Sequence, residues 1–178
     1  VLKTILKEAY FREDISRDPT VGIGSTRYQP KEVGIFTAAE LKKLFPAKAP
    51  GPWGDLTGYT VFLMAATTGM RRGEILALTW ECVNFKEKCI EIRQAWKDRH
   101  EMGPPKWGKT RVTPMPEQLA KAVERYRAQS SHSRDADLVF SYEDGARIGN
   151  TWWAKRFTAA MKKAKIDREG RNIRPHSF

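Results

Sequence analysis

The chain is short of cysteine, histidine, acidic residues and long apolar runs, and each shortage removes a class of explanation. Its 178 residues include two cysteines and three histidines. Cys82 and Cys89 are too far apart for a CxxC pair, and no histidine or second pair stands at metal-ligand spacing. A disulfide framework and a structural zinc site are therefore excluded, leaving two reduced thiols and no expected metal. The most apolar stretch, Val61 to Ala66, is far shorter than the roughly 18–20 residues of a membrane span. At the N-terminus, Val1-Leu2-Lys3-Thr4 meets charge too early for a signal peptide. These features predict a cytoplasmic protein with no membrane partner, and the missing initiator methionine suggests a piece of a longer polypeptide. There is no internal repeat or low-complexity tract. Lysine and arginine number 32 against 21 acids, a net charge of +11. In a soluble chain that excess points first to nucleic acid, then to an anionic membrane surface, then to ribosomal packing.

What is present is organised around Thr67-Thr68-Gly69-Met70-Arg71-Arg72-Gly73-Glu74-Ile75-Leu76. The apolar run before it reads as a buried helix, and Gly69 as its left-handed C-cap. Glu74 to Leu78 begins a second apolar element, which places Arg71 at a helix-to-helix corner. Backbone N–H groups and the helix dipole are expected to favour an anion there, and a guanidinium adds a fork for two phosphate oxygens. The competing reading is a surface arginine beside a C-cap.

Elsewhere, Leu2, Ile5, Leu6, Ala9 and Tyr10 recur at helical spacing, and a Gly/Pro-marked linker follows to about Val33. Thr37-Ala38-Ala39-Glu40 is a capping box whose helix Pro46 stops, and Asp55 or Thr57 caps the buried helix. Trp80 to Lys88 reads as a connector, and Met102 to Thr110 as a turn carrying two lysines. Cys89–Gln94, Ala95–Asp98 and Arg111–Met115 read as strands. Helices are expected after Pro116, with Leu119, Ala122, Val123 and Tyr126 on one face, and after Asn150 as cap. In the latter, Trp153, Phe157, Ala160, Met161 and Ala164 share a face. The pattern predicts a mostly helical α+β fold, with helices around a small antiparallel β-sheet.

A cationic corner, a lysine on a strand turn and a histidine after a proline suit phosphoryl transfer on a nucleic acid backbone. Such a transition state needs cationic forks on the non-bridging oxygens and a proton for the departing oxygen. A lysine can supply that proton if neighbouring cations bring its pKa nearer neutral. In their order these motifs resemble the catalytic domain of tyrosine recombinases of the phage-integrase type. Thr68 to Ile75 is similar to that family's first arginine box, T-G-x-R-x-x-E. Lys106-Trp107-Gly108-Lys109-Thr110-Arg111-Val112-Thr113-Pro114-Met115 is similar to its β-hairpin lysine segment, and Pro175-His176-Ser177-Phe178 to the opening of its H-x-x-R box. The likeness covers residues 35–178; residues 1–34 resemble the end of a preceding core-binding domain and its linker.

The resemblance implies that Arg71 grips the scissile phosphate, with Glu74 as a brace behind it. Lys106 would be the general acid for the 5′-hydroxyl, with Lys109 as its competitor, and His176 a donor to the phosphate. Arg72, Lys109, Arg111, Lys155, Lys162, Lys163 and Arg174 are candidate DNA contacts, although the Lys162–Arg174 cluster also reads as a solvated face. His100 and His132 are expected to be idle, and Trp152 and Trp153 to pack. The implied partner is double-stranded DNA, held by a homotetramer of the complete enzyme, without cofactor. The family's second arginine and its tyrosine nucleophile would fall after Phe178, so the segment alone is expected not to cleave DNA. The alternative is a basic DNA- or RNA-binding module with no chemistry.

Overall fold

The computed structural model describes residues 2–24, 32–97, 101–105, 108–175 and 177–178. They fall in two compact units, Val1–Lys31 and Glu32–Phe178. In the first, helix α1 (Leu2–Phe11) buries none of its residues, and Leu2, Ile5 and Phe11 stay exposed. Among the described residues of this unit nothing buries the helix's apolar stripe, and Leu6 and Ala9 are only partly covered. Lys3 ties the helix to the following turn through the Ile23 carbonyl at 2.9 Å.

The second unit opens on α2 (Ala38–Leu44), where the expected capping box forms. Thr37 Oγ1 accepts the Glu40 N–H at 3.3 Å, and Glu40 accepts the Thr37 N–H at 2.8 Å. A 3₁₀ turn at Gly51–Trp53 leads into α3 (Leu56–Thr68), capped by Asp55 on the Gly58 N–H at 2.7 Å. From Gly58 to Ala65 every residue of α3 is buried, as expected of a helix that is apolar all round. Gly69, at φ 64°, ends it in the left-handed conformation a side chain would resist.

A short helix, α4 (Arg72–Leu76), a 3₁₀ turn at Trp80–Cys82 and the strands come next. Strands β1 (Val83–Asn84) and β2 (Cys89–Ile92) form a hairpin, and β3 (Ala95–Trp96) pairs with β4 (Met102–Gly103). β5 (Arg111–Pro114) returns to the far edge of β2, giving the order β1-β2-β5 with Ile92 opposite Arg111. Helices α5 (Glu117–Gln129) and α6 (Asn150–Lys163) complete the unit. The architecture is mixed α and β and mostly helical, as the sequence predicts.

Three local expectations are corrected. The Trp80–Lys88 connector contains a 3₁₀ turn and β1, and the Met102–Thr110 turn contains β4, because two-residue strands are too short to show alternation. Asn150 is the first helical residue rather than the cap; Gly149 takes the extended cap conformation with no side-chain bond.

Trp53 stacks on Phe62, with centroids 4.3 Å apart, and Phe62 meets the Trp153 ring at 4.6 Å. The Trp53 indole N–H donates to the Leu44 carbonyl at 2.7 Å, so a fully buried ring also satisfies its polar tip. Arg171, expected within a solvated or DNA-facing cluster, instead clasps Glu40 with both forks and donates to the Ile35 carbonyl at 2.8 Å. This joins the start of the second unit to its last segment. The Arg171 guanidinium and the Thr37 N–H hold the Glu40 carboxyl down at about 2. A carboxyl depressed in the folded state stabilises at neutral pH, and that contribution drains away as acid titrates it. Urea midpoints should therefore fall as pH drops from about 5 toward about 2, and Arg171→Met should flatten that part of the profile.

Candidate functional site

Arg71 is the N-cap of α4, in extended conformation just past the Gly69 turn, and its side chain is 57% exposed. Three residues on, Glu74 is 1% exposed and folds back beneath it. The carboxylate accepts the Arg71 backbone N–H at 2.7 Å and Arg71 Nη1 at 3.2 Å. From β5, Arg111 donates Nη1 and Nη2 to the two Glu74 oxygens at 2.9 and 2.7 Å. One buried carboxylate thus takes four donors from two arginines. Burial pushes its pKa up, but the Arg111 fork and the Arg71 N–H outweigh burial and hold it below the ordinary range. Two positive charges and one negative leave a surplus cation, displayed by Arg71.

The sequence reading of this corner needs one correction. The N–H expected to attract an anion is already bonded to Glu74, and α4 has only five residues with which to build a dipole. Attraction for an anion rests on the guanidinium.

Two hollows meet at Arg71. The larger, a cleft of about 430 Å³, is walled by Arg71, Gly73, Trp96, Lys97, Pro105 and Gly108 among others. The smaller, about 120 Å³, is walled by Arg71, Arg72, Trp153, Pro175 and Phe178. Lys106 and His176 lie outside the described residues. Their described neighbours Pro105, Gly108 and Pro175 stand in these walls, which share Arg71.

The remaining candidates divide. Arg72 lines the smaller hollow, and Lys109 is exposed just beyond Gly108. Arg111 has its fork on Glu74, so it steadies Arg71 rather than offering itself outward. Lys155, Lys162 and Lys163 are exposed on α6 and line neither hollow. Arg174 is exposed, bonded to the Asn172 side chain at 2.9 Å and adjacent to Pro175. His132 has a structural role, with its ring on the Glu143 carbonyl and its own carbonyl accepting the Trp80 indole N–H. His100 lies outside the described residues. Trp153 is buried core, while Trp152 is half-buried with Arg156 over its ring at 5.1 Å. Among the described residues no tyrosine lines either hollow: Tyr59 is bonded to Pro46 and Gln118, and Tyr126 is buried against Phe140. No group of three or more potential metal ligands occurs among the described residues.

Sequence reasoning missed Trp96. Its indole N–H donates to the Leu76 carbonyl at 3.0 Å, and a Cβ added at Gly73 would lie 2.5 Å from its backbone oxygen. Gly73 was the available signal, since a glycine at a working corner often marks a close backbone approach. On β5, Thr113 Oγ1 also reaches the Thr68 carbonyl at 3.3 Å, binding the strand to the end of α3.

Removing Arg111 strands a buried carboxylate, so Arg111→Ala should destabilise by about 2 kcal/mol. That is below the cost for a fully buried pair, because the arginine side chain is 38% exposed. Urea denaturation checks this, with Arg111→Lys recovering only part because a single ammonium cannot match the two-pronged contact.

The profile of the phage integrase family matches residues 35–178. The prophage integrase IntR of Escherichia coli (strain K12) is 25% identical over 149 residues, covering 83% of this chain and 34% of that protein. The chain therefore spans about a third of that relative's length. The Tn1549 transposon integrase, solved in complex with a circular intermediate DNA, has the same fold at TM-score 0.74 and 18% identity, covering 99% of this chain and 60% of that one. A lambda integrase dimer bound to a COC′ core site matches at TM-score 0.69 and 15% identity, covering 99% and 58%.

Proposed function

The chain belongs to the phage integrase family, and from that premise we propose that it is the catalytic segment of a site-specific DNA recombinase. The complete enzyme breaks and rejoins duplex DNA through a 3′-phosphotyrosine. The observation that carries this reading is the exposed Arg71 fork where two hollows meet, with the neighbours of Lys106 and His176 in their walls.

In this reading Arg71 binds the two non-bridging oxygens of the scissile phosphate. It is held in place by Glu74, whose negative charge is secured by Arg111. A tyrosine hydroxyl, which the resemblance places after Phe178 in the complete enzyme, attacks phosphorus. The P–O5′ bond breaks as the new P–O bond forms, and Lys106 gives its proton to the departing 5′-oxygen. His176 donates to the phosphate or assists the tyrosine's proton transfer. Rejoining runs the same steps backward with a 5′-hydroxyl as the nucleophile. Charge on the phosphate grows as the transition state forms, so fixed cations at this spot favour it over the ground state. Arg72, Lys109, Lys155, Lys162, Lys163 and Arg174 hold the DNA backbone, positioning the duplex without reading its bases. The first unit belongs to a preceding domain of the parent protein, which works in the cytoplasm as a tetramer on DNA.

The test uses the full-length parent protein. Arg71→Ala should reduce formation of the covalent DNA adduct by about 10³-fold or more while leaving most duplex affinity intact. Lys106→Ala should slow cleavage by about 10²–10⁴-fold and recover on a 5′-thio substrate, whose leaving group needs no proton. Rescue of Lys109→Ala instead would move the acid to Lys109. Steeply salt-dependent duplex binding with no covalent adduct under any condition would mark a non-catalytic DNA- or RNA-binding module.

A further inference from the structure

Arg147 sits on the returning limb of a hairpin, where it bridges to Ser141. The turn is closed by Tyr142 N–H on the Ala146 carbonyl at 2.7 Å and by Gly145 at φ 81°. Its guanidinium carbon lies 4.5 Å from the centroid of the Trp96 ring. That ring is itself fixed, with its indole N–H on Leu76 and its backbone against Gly73. Most arginines that make side-chain contacts in this unit are neutralised: Arg111 by Glu74, Arg127 by Asp135, Arg156 by Asp55 and Arg171 by Glu40. Arg147 meets no carboxylate within ion-pair distance among the described residues. It is half-buried and held by an aromatic face. Such a contact orients a guanidinium without cancelling its charge or using its N–H donors. The platform is a wall of the cleft that Arg71 also lines.

We infer that Arg147 is a positioning residue that binds a DNA backbone phosphate beside the scissile one, held in place by Trp96. This rests on the recombinase reading above. The contact fixes the strand across the cleft so that the phosphate at Arg71 cannot slide. Lys97 lines the same cleft and adds positive charge there.

Equilibrium binding by the full-length protein to duplexes carrying a single methylphosphonate, moved one linkage at a time, tests this. The wild-type protein should lose about tenfold in affinity at a linkage next to the cleavage point, the effect of one charge-assisted contact. Arg147→Ala should bind the unmodified duplex about tenfold more weakly and no longer sense that linkage, while still sensing the others. Arg147→Lys, which keeps the charge and loses the fork, should remain partly sensitive at the same linkage and serves if the alanine variant does not fold. Wild-type binding that is sensitive at several linkages, with all sensitivities intact in Arg147→Ala, would overturn the Arg147 assignment alone. Absence of salt-dependent duplex binding by the wild-type protein would overturn the recombinase reading and this inference with it.

Discussion

A carboxylate with almost no exposure to water, Glu74, governs the geometry of the corner. An isolated charge in that position would be too costly to keep, and the group would simply take up a proton. It stays anionic because α4 supplies the Arg71 N–H and β5 supplies the Arg111 fork. The dependence runs both ways. Arg71 would have many rotamers in a solvated corner, and Glu74 restricts them while leaving more than half of the side chain open to solvent. An arginine that must meet a phosphate gains from being held before the phosphate arrives, since the ordering cost is then met in folding.

The same pairing joins two kinds of secondary structure. A helix start after Gly69 and a strand at the sheet edge have no hydrogen-bond ladder in common. Glu74 links them through side chains, with Thr113 on the Thr68 carbonyl as a second tie. The core beneath is held by different contacts: Trp53, Phe62 and Trp153 stack on one another without using this pair. Variants at the corner can therefore disturb the site while the aromatic core keeps the fold.

What the sequence disclosed follows from how local each feature is. The Gly69 cap, the Thr37–Glu40 box and the α6 face of Trp153, Phe157, Ala160 and Met161 depend on residues within a turn or two of one another, and all were readable. The Glu74–Arg111 pair spans 37 positions and the Arg171–Glu40 clasp 131, so nothing at either end announced the other. Arg111 and Arg171 therefore looked like ordinary members of a basic surface. The short strands β1 and β4 escaped because two residues cannot display a period of two, while β3 was readable within Ala95–Asp98. The helix-to-helix corner at Arg71 was readable from Gly69 and the apolar runs on either side of it, while Lys106 and His176 fall outside the described residues.

Gly73 carries one more implication. With the Trp96 carbonyl occupying the place a side chain at 73 would take, α4 and the β3 strand have no intervening side chain there to act as a cushion. Contact between bare backbones is stiff, so the helix bearing Arg71 and the strand bearing the Trp96 wall must shift as one body. The spacing between the Arg71 corner and the Trp96 wall of the cleft is thereby set by backbone packing, with no side-chain rotamer able to retune it.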